Sequence, residues 1–184
     1  MKRELKPGAL VAPVPAVMVS CGDMENANII TIAWCGITNT VPPKTYISVR
    51  PERHSYEMIK SSGEFVINLV PRELAKKADY CGMVTGRKIN KFEKCSLTKL
   101  KSLHISAPAI EECPINVECK VSEVIHLGSH DMFLADIVGV RADERMFEGN
   151  KLCINRAHLC AFAHGEYYEL TSRLGKFGFS LKRR

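Results

Sequence analysis

The sequence predicts a mainly β protein, a small closed β-barrel with helical insertions, and three observations predict it. Short runs rich in Val, Ile and Thr recur at close spacing along the chain, as strands do. Turn signals separate them at Cys21-Gly22-Asp23, Val41-Pro42-Pro43 and Ser61-Ser62-Gly63. Only two or three segments carry helix signals, too few for a doubly wound sheet, which alternates strand and helix.

In chain order, Val14 to Cys21, Asn28 to Trp34, Thr45 to Arg50 and Phe65 to Leu69 read as strands. Tyr56 to Ser62 reads as a short helix with Ser55 as its N-cap, because Pro51 bars regular helix from starting earlier. Arg72 to Tyr80 is a second helix, with Pro71 at its start and Gly82 near its end. Val84 to Ser106 is the least strand-like region and carries Gly86, Arg87, Lys88, Asn90, Lys91 and Lys94, the composition of a functional loop. Ile115 to Ile125 and Met132 to Arg141 form a hairpin across Leu127-Gly128-Ser129-His130-Asp131. A strand around Ala161 to His164 ends the compact part.

At 184 residues the chain reads as one domain over 1–184, compact over about 10–168, with a basic tail at 173–184. No apolar window reaches the ~18 to 20 residues that span a bilayer, and the start of the chain lacks a signal-peptide apolar stretch, so a cytoplasmic protein without membrane contact is expected. The net charge of +6 is concentrated in Arg173, Lys176, Lys182, Arg183 and Arg184; the first 172 residues carry only +1, which argues against a nucleic-acid partner. Eight cysteines occur without any C-x-x-C pair, so reduced core thiols are expected and no metal site.

The segment Ser48-Val49-Arg50-Pro51-Glu52-Arg53-His54-Ser55-Tyr56 concentrates the chemistry. It delivers two arginines and a histidine to a helix start, where unpaired N–H groups already carry about half a positive charge. Either an anion such as a phosphate balances them, or Glu52 and Glu57 neutralise an ordinary surface helix.

Several segments in order resemble the flavin reductase-like family of FMN-binding split barrels, in its flavoredoxin branch. They are Asn28-x-x-Thr31-x-Ala33-Trp34-x-Gly36, Pro42-Pro43, Ser48-x-Arg50-Pro51-x-Arg53-x-Ser55 and Glu64-Phe65-Val66-Ile67-Asn68. Further on come Cys81-Gly82-x-x-Thr85-Gly86-Arg87 with Lys91-Phe92, Ala107-Pro108-Ala109-Ile110-Glu111-Glu112-Cys113-Pro114, and Gly128-Ser129-His130-Asp131. The resemblance implies a Greek-key split barrel, a homodimer, and one non-covalent FMN per subunit.

It also implies site residues. Arg50, Arg53, His54 and Ser55 would grip the FMN phosphate, Ser48 and Val49 would belong to the cofactor site beside them, and Thr31, Ile32, Ala33, Trp34 and Cys35 would run beside the ring and offer backbone N–H groups to its polar edge. Trp34 either walls the ring or sits in the core. Asn68 and Leu69 would approach the ribityl chain, or Asn68 would cap a turn before Pro71. The loop with Gly86, Arg87, Lys91 and Phe92 would close over the cofactor phosphate or ring, and Cys81 and Gly82 would also belong to the cofactor site. Asn90 stands where the family commonly has Asp, leaving that loop more basic.

His104, His126 and His130 are expected to be solvated, and no residue is assigned as catalytic. Leu159 to Tyr168 and Ile110 to Pro114 are the expected dimer contacts. The implied activity is electron transfer through FMN. NADH or NADPH would serve as donor in an oxidoreductase of the flavin reductase type, and a ferredoxin-like protein would be the partner of a non-enzymatic carrier. No G-x-G-x-x-G occurs, so a nicotinamide would stack directly on the flavin.

Overall fold

The computed structural model describes residues 1–181; of the basic tail expected at 173–184, Lys182, Arg183 and Arg184 lie outside the described residues. Seven strands form one antiparallel sheet: β1 (Val17–Cys21), β2 (Asn28–Ile32), β3 (Cys35–Thr40), β4 (Pro43–Val49), β5 (Glu64–Leu69), β6 (Ile115–His126) and β7 (Asp131–Ala142). Their order is β2-β1-β5-β6-β7-β4-β3. The edge strands β2 and β3 are therefore consecutive in sequence, and Ala33-Trp34 carries the chain from one edge to the other. The Ser48 N–H donates to the Trp34 carbonyl at 2.8 Å, bringing β4 up to this crossing.

Alternation decides which side chains meet. Val17, Val19 and Cys21 of β1 join Ile30, Ile32, Ile47, Val49, Phe65, Ile67, Cys119 and Phe133 in one buried cluster. Seven flat strands at about 4.8 Å spacing would hold the edges ~29 Å apart. Yet the edge strand β2 touches β4, five places along that order, so the sheet curls round toward its far side. The opposite faces of β1 and β2 are covered too, which is why β1 reads as a continuous apolar run. Ala16, Met18 and Ile29 pack there against Leu74, Ala78, Cys81, Phe92 and Cys95 of the helical region.

Helix α1 (His54–Ser62) starts two residues earlier than the sequence predicts, with Arg53 rather than Ser55 at the N-cap and no side chain capping it. Ser55 is unavailable as a cap because it lies buried within the first turn, where its hydroxyl accepts from Asn28 Nδ2 at 2.8 Å. The helix stops at Gly63, whose left-handed φ of 67° lets its N–H reach the Ile59 carbonyl at 2.8 Å.

The second expected helix is a 3₁₀ turn at Arg72–Leu74 followed by α2 (Ala75–Met83). Gly82 stands near the end of α2, as its next-to-last residue. Its Cα lies so close to β2 that a Cβ there would come within 3.2 Å of Thr31 Cβ. A single turn, α3 (Lys91–Lys94), forms within the expected loop, capped by the Asn90 side chain.

Strands β8 (Cys160–Ala163) and β9 (Glu166–Glu169) make a small second sheet with Val14–Pro15. The predicted strand over 14–21 thus divides at Ala16 between two sheets. β3 and β9 carry no sequence signal. β3 is exposed from Ile37 to Thr40 and polar at Thr38, Asn39 and Thr40, so nothing alternates. No helix among the described residues is long and apolar enough to cross a membrane. Seven of the eight cysteines are buried, Cys153 is half-buried, and all are free thiols.

Candidate functional site

The gap where Ala33-Trp34 crosses between the sheet edges opens into a cleft of about 510 Å³ lined by Ile30, Thr31, Ile32, Ala33, Trp34, Ser48, Val49, Arg50, Arg53 and His130. As an edge strand, β2 pairs only with β1, so N–H groups along its free side have no strand to bond and can serve a ligand. Trp34 is 37% exposed at this cleft and is not a core residue.

A second cleft of about 540 Å³ adjoins the first, sharing Ile30 and Arg53. Its lining adds Asn28, Glu52, His54, Ser55, Met83, Val84, Thr85, Gly86 and Lys91. The uncapped start of α1 faces it, so first-turn amides with no side-chain acceptor combine with cationic side chains.

The cations are held by backbone carbonyls, which leaves their charge uncompensated. Arg53 Nη2 donates to the Gly82 carbonyl. Lys91 is only 3% exposed, and its Nζ donates to the carbonyls of Ile29 at 2.6 Å and Cys81 at 2.7 Å. An ammonium has three N–H donors, so one remains for the cleft that Lys91 lines. Burial pulls the Lys91 pKa down to about 8, and the nearby Arg53 charge pulls in the same direction. His54 is held below the usual imidazole range by burial and by the charges of Arg87 and Lys91.

Among the described residues, the one carboxylate paired with these cations is Glu52, 3.6 Å from Arg50, with both side chains more than half exposed. Such a pair is worth little. The cluster thus has the electrostatics of an anion site, and its donor set of amides, guanidinium and ammonium suits a phosphate dianion.

Gly86 completes this corner. Its backbone lies against Asn28, so close that a Cβ would fall 2.2 Å from Asn28 Oδ1. Asn28 in turn fixes Ser55, which ties the 84–91 loop to the start of α1.

The structure places other sequence-identified residues away from the cleft. Cys35 is buried in the inner core and Leu69 packs against that core, while Phe92 is 2% exposed in the outer cluster. Cys81 and Gly82 act through their carbonyls, as anchors for Lys91 and Arg53. Arg87 is exposed, and its N–H approaches Thr85 Oγ1 at 3.3 Å. Asn68 is fully buried and saturated: Nδ2 donates to Met18 O and Ser20 Oγ at 2.9 Å, and Oδ1 accepts from the Ile110 N–H and Asn116 Nδ2 at 2.9 Å.

Sequence reasoning did not assign Ile30, Asn28 or His130 to the site. His130, read as solvated, lines the cleft half-buried, and burial with the Arg50 charge lowers its pKa. The strand pairing that puts Asp131 opposite Val49 sets His130 beside Arg50. Nothing in the chain alone gives that register.

The family profile of the flavin reductase like domain matches residues 11–171. Flavoredoxin of Desulfovibrio vulgaris (Miyazaki F) has a similar structure, with a TM-score of 0.90 at 32% sequence identity over 98% of each chain. Flavoredoxin from Methanosarcina acetivorans gives a TM-score of 0.88 at 24% identity, over 99% of this chain and 100% of its own. The FMN reductase (NADH) RutF of Agrobacterium fabrum is 21% identical over 138 residues, 73% of this chain and 76% of its own.

Proposed function

We propose, for a chain that belongs to the flavin reductase-like family, that the paired clefts hold FMN non-covalently and that the protein passes electrons through it from NADH or NADPH. The observation that carries this reading is the meeting of Arg50, Arg53 and Lys91 with the uncapped start of α1, beside a cleft walled by Trp34. The names of the relatives, flavoredoxin and FMN reductase (NADH), point the same way.

Under this reading Arg53, Lys91 and the first-turn amides of α1 bind the phosphate, with Arg50 at its outer side. The free backbone N–H groups of β2 and the Ala33-Trp34 crossing orient the pyrimidine edge of the ring. Trp34 walls the ring and excludes water from one side. When bound, FMN supplies the hydride and electron chemistry that these side chains do not. No protein acid is required, since positioning and ring electrostatics are what the chain contributes.

The curled seven-stranded sheet is read as a split barrel, and the active unit as a cytoplasmic homodimer. Leu170, Leu174, Phe177, Phe179 and Leu181 stand exposed, apolar side chains that a second copy would cover. The segment Ile110–Pro114, an expected contact, is unsuited to that role: Ile110, Cys113 and Pro114 are already buried by their own chain. Sedimentation of apo and FMN-loaded protein across a dilution series should show FMN strengthening the dimer. FMN binding by a monomer with undiminished affinity would remove the dimer from this reading.

The deciding experiment is anaerobic stopped-flow mixing of FMN-loaded protein with NADH, NADPH and reduced ferredoxin in turn. Rapid bleaching of the flavin by a nicotinamide is expected. Bleaching by ferredoxin alone would make the protein a carrier, and protein that takes up no FMN would end the proposal.

A further inference from the structure

Cys81 and Cys95 lie behind the anion corner, on the two elements that build it. Cys81 is on α2, Cys95 caps the end of α3, and their sulfurs are 3.8 Å apart. The pair is not equally accessible. Cys81 has no exposed surface, while Cys95 is 8% exposed and reaches the floor of an open surface pocket whose rim carries Lys76, Lys77 and Lys94. No acid lines that pocket.

We infer that Cys81 and Cys95 are a redox-active dithiol, oxidised to a disulfide by an anionic small-molecule disulfide that enters through the lysine-rimmed pocket, and that this closure loosens the phosphate corner. Cys95, at the mouth, attacks as the thiolate: a Cys95–sulfur bond forms, the incoming disulfide bond breaks, and one thiolate leaves. That thiolate takes the proton of Cys81. The Cys81 sulfur then attacks Cys95 Sγ and expels the second thiolate. Two protein thiols and one disulfide become one protein disulfide and two small thiols. Burial and the adjacent Cys95 push the Cys81 thiol pKa up; Cys95 acts first because it is the one of the pair that lines the pocket.

The coupling to the cofactor, which rests on the FMN reading above, follows from the backbone. A disulfide brings the sulfurs to about 2.05 Å, so the 3.8 Å gap must close by about 1.8 Å. The carbonyl of Cys81 anchors Lys91, and the next carbonyl, of Gly82, anchors Arg53. Moving this short stretch against α3 disturbs both anchors at once. The reduced form is therefore the one that binds FMN tightly.

The test treats the reduced, full-length protein anaerobically with glutathione disulfide, and in parallel with the cationic disulfide cystamine. Peptide mapping is expected to show a Cys81–Cys95 cross-link, formed about tenfold faster with glutathione disulfide because of the lysines. The dissociation constant for FMN should rise at least about tenfold on oxidation. Cys95→Ser protein should form no such cross-link and keep its FMN affinity after the same treatment. A cross-link to Cys113 instead, or none, would overturn the dithiol. Equal rates with the two reagents would overturn the role of the lysines, and an unchanged FMN affinity in the cross-linked protein would overturn the coupling. Failure of the reduced protein to bind FMN would remove the functional reading and the coupling with it, whereas the mapped cross-link is decided independently of FMN.

Discussion

Two of the regions in which this molecule buries polar groups use them in opposite ways. Around Asn68, polar atoms from Ser20, Asn116 and the Ile110 backbone satisfy one another inside the protein. Around Lys91 and Arg53, the side chains are anchored by carbonyls but keep donors and charge facing an open cleft. The first arrangement fixes the packing of β1, β5 and β6 and has no valence left for a ligand. The second leaves a burial cost that only an anion relieves, as the lowered Lys91 pKa records. Residual hydrogen-bonding capacity, more than polarity or burial, separates a binding residue from a structural one.

The largest effect that would break this comparison is expected from Arg50→Ala combined with Arg53→Ala. Each charge-assisted contact to phosphate is worth about 1.5 to 3 kcal/mol, so FMN binding should weaken by at least ~100-fold in a fluorescence titration. The urea midpoint should change little. Retained affinity would mean that these arginines serve the surface alone. Asn68→Ala is the opposite case. It strands the Ile110 N–H without an acceptor and leaves Asn116 Nδ2 only its 3.1 Å bond to the Ile110 carbonyl, costing about 1 to 3 kcal/mol of stability, while FMN affinity in the folded protein stays within about twofold. A large loss of affinity at full folding would show that Asn68 reaches the ligand after all.

Much of the fold was legible because local rules wrote it. Thr45, Ile47 and Val49 alternate inward on β4, and Pro71 and Gly63 stand where helices begin and end. The proposed anion corner is legible too, as positive charge stacked on a helix start. Lys91 in the loop was suspected, but that it is buried under Ile29, 62 positions away, is a consequence of packing that no spacing encodes. His130 was misread for the same reason. Its place in the cleft depends on the pairing of β7 with β4. β3 was invisible since its exposed polar residues gain their ladder only from the turn at Pro42-Pro43. Ser55 reads as a cap from its residue type; in the fold it lies inside the first turn of a helix that starts at His54, bonded to Asn28.

Lys91 gives a smaller and sharper test through pH. Its folded pKa near 8 lies below the ~10.4 of a free lysine, so the unfolded chain binds more protons between these values. Stability of the apo protein should therefore rise with pH from about 8 toward 10.4, and be insensitive to this group below about 7. FMN affinity should move the other way. A phosphate prefers the charged ammonium, so the dissociation constant should increase above pH ~8 by up to about tenfold per pH unit. In Lys91→Met protein both trends should vanish, along with some of the affinity at pH 7. Persistence of the alkaline loss in that variant would assign it to another group.

The smallest expected effect lies at Gly86, where the two kinds of polar residue meet. Gly86 has no left-handed backbone to strain, so an alanine acts only through its Cβ, which would lie 2.2 Å from Asn28 Oδ1 and 2.8 Å from Asn28 Nδ2. Asn28 is 5% exposed and can escape only by giving up its 2.8 Å bond to Ser55, within the first turn of α1. Gly86→Ala should thus cost about 1 to 2 kcal/mol in a urea titration and weaken FMN binding by less than about tenfold, since it disturbs a support and not a ligand. Asn28→Ala should lose a comparable amount by removing the same bond. The double variant distinguishes steric displacement from any direct role of the loop backbone: with the Asn28 side chain gone the alanine has room, so the two losses should add to clearly less than their sum. Full additivity in both stability and FMN affinity would mean that Gly86 is needed for an approach to the ligand itself, and that the loop belongs with Arg53 and Lys91.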